Sequence, residues 1–333
     1  MITAVLNRLV ASAATLLGVA VVVFVLLRVV PGDPIAMMIA PGASPEDVAA
    51  LRARYGLDTS IPEQFWIWLQ GVLSGDFGTS ISLRLDVLGL LASRLPATLE
   101  LAIAALVVAV LLGGAIAVVG TLMGRRAGGA LDAANGLLLA VPDFVWALAL
   151  VLLLGVAWPL FPLTGRIDPS VATDFHTRFY LLESLATGRL AVARDVAAHM
   201  VMPTLALALP LAAVIARVLK EALGEAMLQD YVLLARIKGM SETRLVMQEA
   251  LRNAVGPTLA LTGVQFTFLL GGTVIVERIF AYPGIGNMAI DAVINRDLPL
   301  IQGLVLLFGL MFILINLAVD LAVAALNPRL RHG

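Results

Sequence analysis

The residues of this chain that could do chemistry are few, and most familiar catalytic arrangements are missing. Asp143 follows Pro142 near the middle of an apolar run at 134–156, and a carboxylate at that depth of a membrane-length run is a functional suspect. It can meet a cationic group of a passing substrate, or it can be satisfied by backbone donors freed around Pro142 or by a neighbouring helix. Asn316, in the last apolar run, carries an amide able to bond across helices. The three histidines, His176, His199 and His332, lie far apart and make no metal-ligand spacing. Zero cysteines excludes disulfides, thiolate metal sites and a cysteine nucleophile together. No GxxxxGK followed by Ser or Thr, no GxSxG and no HExxH occurs, and no paired carboxylates share a predicted helix. The sequence therefore offers no catalytic residue, no metal site and no phosphate-cradling loop of its own.

These residues sit in a chain of 333 residues that is 60% hydrophobic and 14% charged, where a soluble domain carries about a quarter charged residues. A net charge of −1 gives nucleic acid nothing to bind. Six runs, at 9–30, 97–121, 134–156, 199–219, 256–276 and 302–326, reach the ~20 apolar residues that a spanning helix needs. The first is too long and too close to Met1 for a cleaved signal peptide and reads as a retained span. The expected fold is an all-α polytopic membrane protein with six transmembrane helices. Residues 1–30 are the N-terminus and first helix, 31–96 a small extracytoplasmic subdomain, and 97–333 a five-helix core with outer loops at 157–198 and 277–301. Pro203 and Pro210 are expected to bend the fourth span.

Charge sets the orientation. With the N-terminus inside, the inner pieces 1–8, 122–133, 217–255 and 327–333 hold eleven basic residues against six acidic ones. The outer pieces hold the same number of bases over about twice the length, so density decides, and short loops weigh most. Arg125-Arg126 in the short second loop is the best single marker and predicts both termini in the cytoplasm.

In the outer subdomain, Pro31-Gly32-Asp33-Pro34 is a hard stop for the first helix. Ser44 reads as a helix cap before Pro45, and Phe65, Trp66, Trp68 and Leu69 form an apolar cluster suited to the membrane interface. Gly75-Asp76-Phe77-Gly78 and Pro283-Gly284-Ile285-Gly286 read as turns.

The stretch 230–257 holds four basic and three acidic residues between two uncharged runs. Leu228, Tyr231, Val232 and Ala235 recur at helical spacing, with Asp230, Arg236 and Lys238 on other faces. Gly239 falls where a helix C-cap glycine sits, with bases in the last turn. Ser241 stands at the N-cap of a second helix whose Met247, Ala250, Leu251 and Ala254 lead into the fifth span. The spacing predicts a helix–turn–helix against the cytoplasmic face. By spacing alone it is equally a solvated loop with a hydrophobic anchor.

This segment resembles the cytoplasmic motif of binding-protein-dependent ABC importer permeases, in the form used by the dipeptide/oligopeptide branch. The matching residues are Asp230-Tyr231-Val232, Ala235-Arg236, Lys238-Gly239, the run Ala250-Leu251-Arg252-Asn253-Ala254, and Pro257. Further matches fall in the same order along the chain: Leu27-Arg28 with Pro31-Gly32-Asp33-Pro34, Gly56-Leu57-Asp58, Gly75-Asp76-Phe77-Gly78, Pro96-Ala97-Thr98-Leu99-Glu100-Leu101, Pro283-Gly284-Ile285-Gly286, Arg296-Asp297, Asn316-Leu317, Asp320-Leu321 and Asn327-Pro328-Arg329. One departure is that Leu233-Leu234-Ala235 stands where the general motif begins Glu-Ala-Ala.

The resemblance implies a type I ABC importer permease, the first of two non-identical permease subunits in a bacterial cytoplasmic (inner) membrane. It implies two separate ATPase subunits that bind the ATP and Mg, so that this chain binds no cofactor, and an extracytoplasmic substrate-binding protein. It assigns ATPase coupling to the segment 220–255 and, within it, to Asp230, Tyr231, Ala235, Arg236, Lys238, Gly239 and Ser241. The pathway candidates are Asp143 and Asn316, and the outer docking candidates are Asp76, Gly78, Pro283, Gly284 and Gly286. The substrate it implies is a di- or oligopeptide, with nickel chelates and glutathione as alternatives. A self-sufficient secondary transporter is the reading from another class, and it would show internal symmetry or charge relays that this sequence lacks.

Overall fold

The computed structural model describes residues 2–29, 44–46, 59–123, 125–171 and 174–326, with side chains described for all of these except 2–9, 27–29, 125–127, 320 and 322–326. The Pro31–Pro34 stop, Gly56-Leu57-Asp58 and Asn327-Pro328-Arg329 lie outside the described residues. The chain divides into two compact units, Met1–Leu95 with Met288–Ile313, and Pro96–Asn287 with Leu314–Gly333. The described residues are mostly helical, with a single isolated β-bridge among them, between Thr79 and Asp86.

The first unit contains α1 (Ile2–Val29), α2 (Ile61–Leu73), the start of α3 (Val87–Leu122) and parts of α10 (Ile285–Ile294) and α11 (Leu298–Leu326). Phe24 of α1 is buried beneath α2, with Phe65 edge-on at 5.3 Å and Trp68 at 5.5 Å between ring centroids. The aromatic cluster expected at the membrane interface is thereby divided, because these two rings pack inward and Trp66 stays 58% exposed. The Gly75–Gly78 turn forms as its sequence predicts. Both glycines have positive φ, and Asp76 accepts the Gly78 N–H at 2.8 Å. Asp86 caps α3 by accepting the Gly89 N–H at 2.6 Å. The wholly buried Asp297 accepts the Ser80 and Ser82 hydroxyls at 2.6 and 2.7 Å and the Ser82 N–H at 3.0 Å. Burial opposes its charge, but these donors outweigh that and hold its carboxyl below the ordinary value.

The second unit is built on α7 (Leu190–Met227), which packs against α4 (Arg125–Ala140), α5 (Asp143–Ala157), α6 (Tyr180–Ala186) and α9 (Glu242–Ile279). Helix α7 runs unbroken through Pro203 and Pro210. Its buried face is rich in alanine, including Ala206, Ala208, Ala212, Ala213 and Ala216, and small side chains let backbones approach where lipid supplies no hydrophobic drive between helices. Gly113 of α3 uses that room: a Cβ there would lie 2.6 Å from the Ala212 carbonyl oxygen and 2.9 Å from Ile215 Cβ. Helix α5 ends in a π-helical segment, Val151–Ala157, and α9 contains another at Leu245–Ala250.

Among the described residues four helices are long and apolar enough to cross a membrane: α3, α7, α9 and Leu298–Val319 of α11. The third expected span departs from a single rod. It is two helices, Gly128–Ala140 and Asp143–Ala157, bent by 96°, with the break at Val141-Pro142, where proline disfavours helix in the residue before it. Counting that pair as one span makes five. The expected six is not reached among the described residues, because the apolar helix described in α1 is only Val10–Leu26.

Gly113→Ala should destabilise the protein by about 1–3 kcal/mol, read as a lowered midpoint in thermal unfolding of the detergent-purified chain. Gly114→Ala, with nothing within 4 Å of its added Cβ, should change little. Equal shifts for the two would refute the close approach of α3 and α7.

Candidate functional site

Helix α7 reaches about 57 Å end to end at 1.5 Å per residue, and polar side chains gather at both of its ends. Near its C-terminus Lys220 reaches Asp132 of α4 at 2.5 Å. This joins two segments that the charge pattern assigns to one side of the membrane. Near its N-terminus Asp195 accepts the Asp168 N–H at 2.8 Å, which joins α7 to a loop assigned to the other side.

The hairpin beyond Lys220 is built as its sequence predicts. Helix α8 (Asp230–Ile237) ends at Gly239, whose φ is +85°. The Gly239 N–H donates to the Arg236 carbonyl at 3.0 Å, and the Met240 N–H donates to the Ala235 carbonyl at 3.3 Å. This pair of bonds is a Schellman turn, and Met240 closes it by packing on the cluster of Val232, Ala235 and Leu245. Ser241 stands at the N-cap position with extended backbone and accepts the Leu245 N–H on its carbonyl at 2.9 Å, while its side chain makes no cap bond. The second arm is not a separate helix. It is the start of α9 itself, continuous to Ile279.

Two side-chain contacts brace the hairpin. Arg236 donates both Nε–H and Nη2–H to the Glu242 carboxylate, at 2.9 and 3.0 Å across the turn. Asn253 donates to the Tyr231 hydroxyl at 2.8 Å, tying α8 to α9. Val246, Ala250 and Ala254 pack on Leu219, Leu223 and Ala226 of α7. A groove of about 290 Å³ beside the hairpin is lined by Glu225, Gln229, Tyr231, Asn253 and Pro257 among others. Val232 and Ala235 are buried, while Leu228, Leu233, Leu234 and Ile237 are 53 to 86% exposed. An apolar face turned outward beside exposed Asp230 and Lys238 is the form of a docking surface.

At the other end of the second unit lies a cluster that sequence reasoning missed. Arg166 and Glu100 form a buried ion pair at 2.6 Å. The Glu100 carboxylate also accepts the Leu181 and Leu182 N–H groups at the start of α6, and the Arg166 guanidinium lies 3.9 Å over the Tyr180 ring. Glu183 accepts two hydrogen bonds from Thr177 and one from the His176 N–H, and these hold its carboxyl down at about 2. Burial pushes the Tyr282 hydroxyl well above its ordinary value. Gly284 and Gly286 are buried and turned toward Glu277, whereas Asp76 is exposed and Pro283 half-buried.

Asp143 begins α5 just past the break, half-buried, with one carboxylate oxygen accepting the Phe144 N–H at 2.8 Å. Its other oxygen faces Gly272 of α9, where an added Cβ would lie 2.6 Å away. Asn316 is half-buried on α11.

Comparison with known proteins agrees with this construction. Residues 105–332 match the family of binding-protein-dependent transport system inner membrane components, and residues 1–102 match the N-terminal family of such membrane components. The chain belongs to the family of binding-protein-dependent transport system inner membrane components. It is 37% identical over 340 residues to the dipeptide transport system permease protein DppB of Escherichia coli K12, covering 100% of this chain and 99% of that one. It is 39% identical over 332 residues to the glutathione transport system permease protein GsiC of Salmonella typhimurium, covering 100% of both. Among solved structures, an inward-facing MetNI methionine ABC transporter matches with a TM-score of 0.54 at 16% identity, over 72% of this chain and 96% of that one. This last likeness shows the fold alone.

The buried pair and the exposed pair should differ sharply on mutation. Arg166→Met leaves a buried carboxylate without its cation and should cost about 3–5 kcal/mol, whereas Arg236→Ala should cost under about 1 kcal/mol. Thermal unfolding of the two purified variants reads the difference, and a smaller shift for Arg166→Met would refute the buried pair.

Proposed function

We propose that this chain is the transmembrane subunit of an ATP-driven importer of di- or oligopeptides, forming half of the translocation pathway. The observation that carries it is the braced hairpin of α8 and α9, which turns an apolar face outward. Full-length likeness to a dipeptide permease supports it. The protein sits in a bacterial inner membrane with six spans and both termini in the cytoplasm. It pairs with a second, homologous permease. Two ATPase subunits bind ATP and Mg and receive the hairpin through Asp230, Tyr231, Arg236, Lys238, Gly239 and Ser241, with the buried Ala235 supporting them from within the hairpin. A substrate-binding protein docks on the outer loops, the docking candidates being Asp76 and Gly78 of an exposed turn in the first unit and Pro283, Gly284 and Gly286 of a more buried turn in the second. Glutathione, itself a peptide, is the second reading, favoured by the GsiC likeness at similar identity. Competition of unlabelled dipeptide and glutathione against labelled dipeptide uptake separates the two.

In this reading Gly239 is the pivot. Gly239→Val puts a β-branched residue at left-handed φ, which costs roughly 1–2 kcal/mol or more. The variant should assemble with its partners and hydrolyse ATP, while peptide uptake in proteoliposomes falls at least tenfold. Normal uptake would exclude the turn as the coupling joint.

Asp143 is the proposed pathway carboxylate, one oxygen being held by the start of α5 and the other directed at α9. Asp143→Asn should slow uptake severalfold with assembly intact. Unchanged uptake kinetics would leave Asp143 the task of starting α5 alone.

A further inference from the structure

Glu277 lies in the last turn of α9 and is wholly buried. It accepts the Thr98 hydroxyl on Oε1 at 2.6 Å and the Asn287 backbone N–H on Oε2 at 2.9 Å. Thr98, near the start of the second unit, also accepts the Ile285 N–H on its hydroxyl oxygen at 2.9 Å. Three segments therefore meet at one carboxylate: the α3 segment holding Thr98, the end of α9, and the turn that opens α10. The two glycines of that turn make the meeting possible. A Cβ on Gly284 would fall on the carboxylate itself, and one on Gly286 would lie 3.0 Å from Oε2 and 2.6 Å from Val274 Cα.

Burying a carboxylate costs several kcal/mol unless hydrogen bonds satisfy it. The donors named here are the Asn287 backbone N–H at the start of a helix and the Thr98 hydroxyl, and a helix start favours negative charge. An apolar residue would fill the same space but could not hold those donors. The acid thus fixes the 282–287 turn and Thr98 to α9 in one geometry.

Helix α9 is also the second arm of the hairpin. It starts at Glu242, three residues after Gly239, and runs as one helix to Ile279. Glu242 and Glu277 are about 52 Å apart along it at 1.5 Å per residue. We infer that Glu277 is a positioning residue for transport: it ties the far end of the coupling helix to α3 and to the Tyr282–Asn287 turn, so that movement of the hairpin is delivered to the opposite face of the protein. Glu277 touches no substrate in this role.

This inference rests on the permease reading, and one experiment separates the two. The full complex of this chain, its partner permease, the ATPases and the cognate binding protein is reconstituted in liposomes, and labelled dipeptide uptake and ATP hydrolysis are measured together. With Glu277→Gln the amide cannot accept on both sides. Peptide moved per ATP hydrolysed should fall at least tenfold, while assembly by size exclusion and ATPase activity stay at wild-type levels. A cross-link should replace the lost tie. The chain has no native cysteine, so Thr98→Cys with Ile285→Cys in the Glu277→Gln background introduces a single pair. Its oxidation should restore at least half of the wild-type ratio, and reduction should abolish the recovery. A role confined to stability would lower assembly, uptake and hydrolysis together and leave the ratio unchanged. The inference is overturned if Glu277→Gln keeps the wild-type ratio, or if the oxidised pair fails to restore it. If the wild-type complex itself shows no ATP-dependent uptake, it is the permease reading that fails.

Discussion

The second unit depends on how closely helices can approach when the solvent around them is as apolar as their side chains. Lipid gives no reward for hiding leucine against leucine, so helices hold together by contact area and by the few polar groups they share. Helix α7 meets that constraint with alanines, and Gly113 of α3 is a point of close approach. Once α7 is enclosed, α4, α5, α6 and α9 each have a surface to register against. The larger residues of α3 that face away, such as Ile103 and Leu111, are left half exposed or more, as suits lipid.

The two ends of this unit are finished in opposite ways. Around Glu277, Thr98, Glu100 and Arg166, charged and hydroxylic side chains are buried and bonded to one another, although the Arg166 Nε and the neighbouring Tyr282 hydroxyl make no hydrogen bond. Around α8, leucine and isoleucine are exposed while the only salt bridge, among the described residues of the hairpin, is a surface one. Buried hydrogen-bonded networks impose one geometry because every alternative leaves a group unpaired. Exposed apolar surface does the reverse and invites a partner. One end is therefore rigid by its own bonds, and the other is completed from outside.

Much of the hairpin was legible in the sequence because its signals are local. Gly239 after Arg236 and Lys238 marks a helix end, and Ser241 marks the next start, with no tertiary information needed. The structure corrected only the second arm, where the apolar spacing continues into α9 without a break. The proline effects were not legible. Pro142, Pro203 and Pro210 look alike in the sequence, yet the first interrupts its span and the other two do not. The Glu277 cluster was hidden as well. Its members are separated by up to 189 positions, from Thr98 to Asn287, and no local periodicity marks a contact of that range. Glycines 284 and 286 read as a turn, which they form, but nothing nearby in the sequence says that a carboxylate fills the space their side chains leave.

The break at Val141-Pro142 has a bearing on where water can go. Hydrocarbon offers no donor or acceptor to non-helical backbone, and such backbone is stable at membrane depth only where it faces protein or an aqueous space. Pro142 is exposed on the isolated chain and Val141 half so. Wherever this bent pair crosses a membrane, the backbone at Val141-Pro142 therefore calls for protein or an aqueous space as its neighbour, and Asp143 is the next residue along the chain.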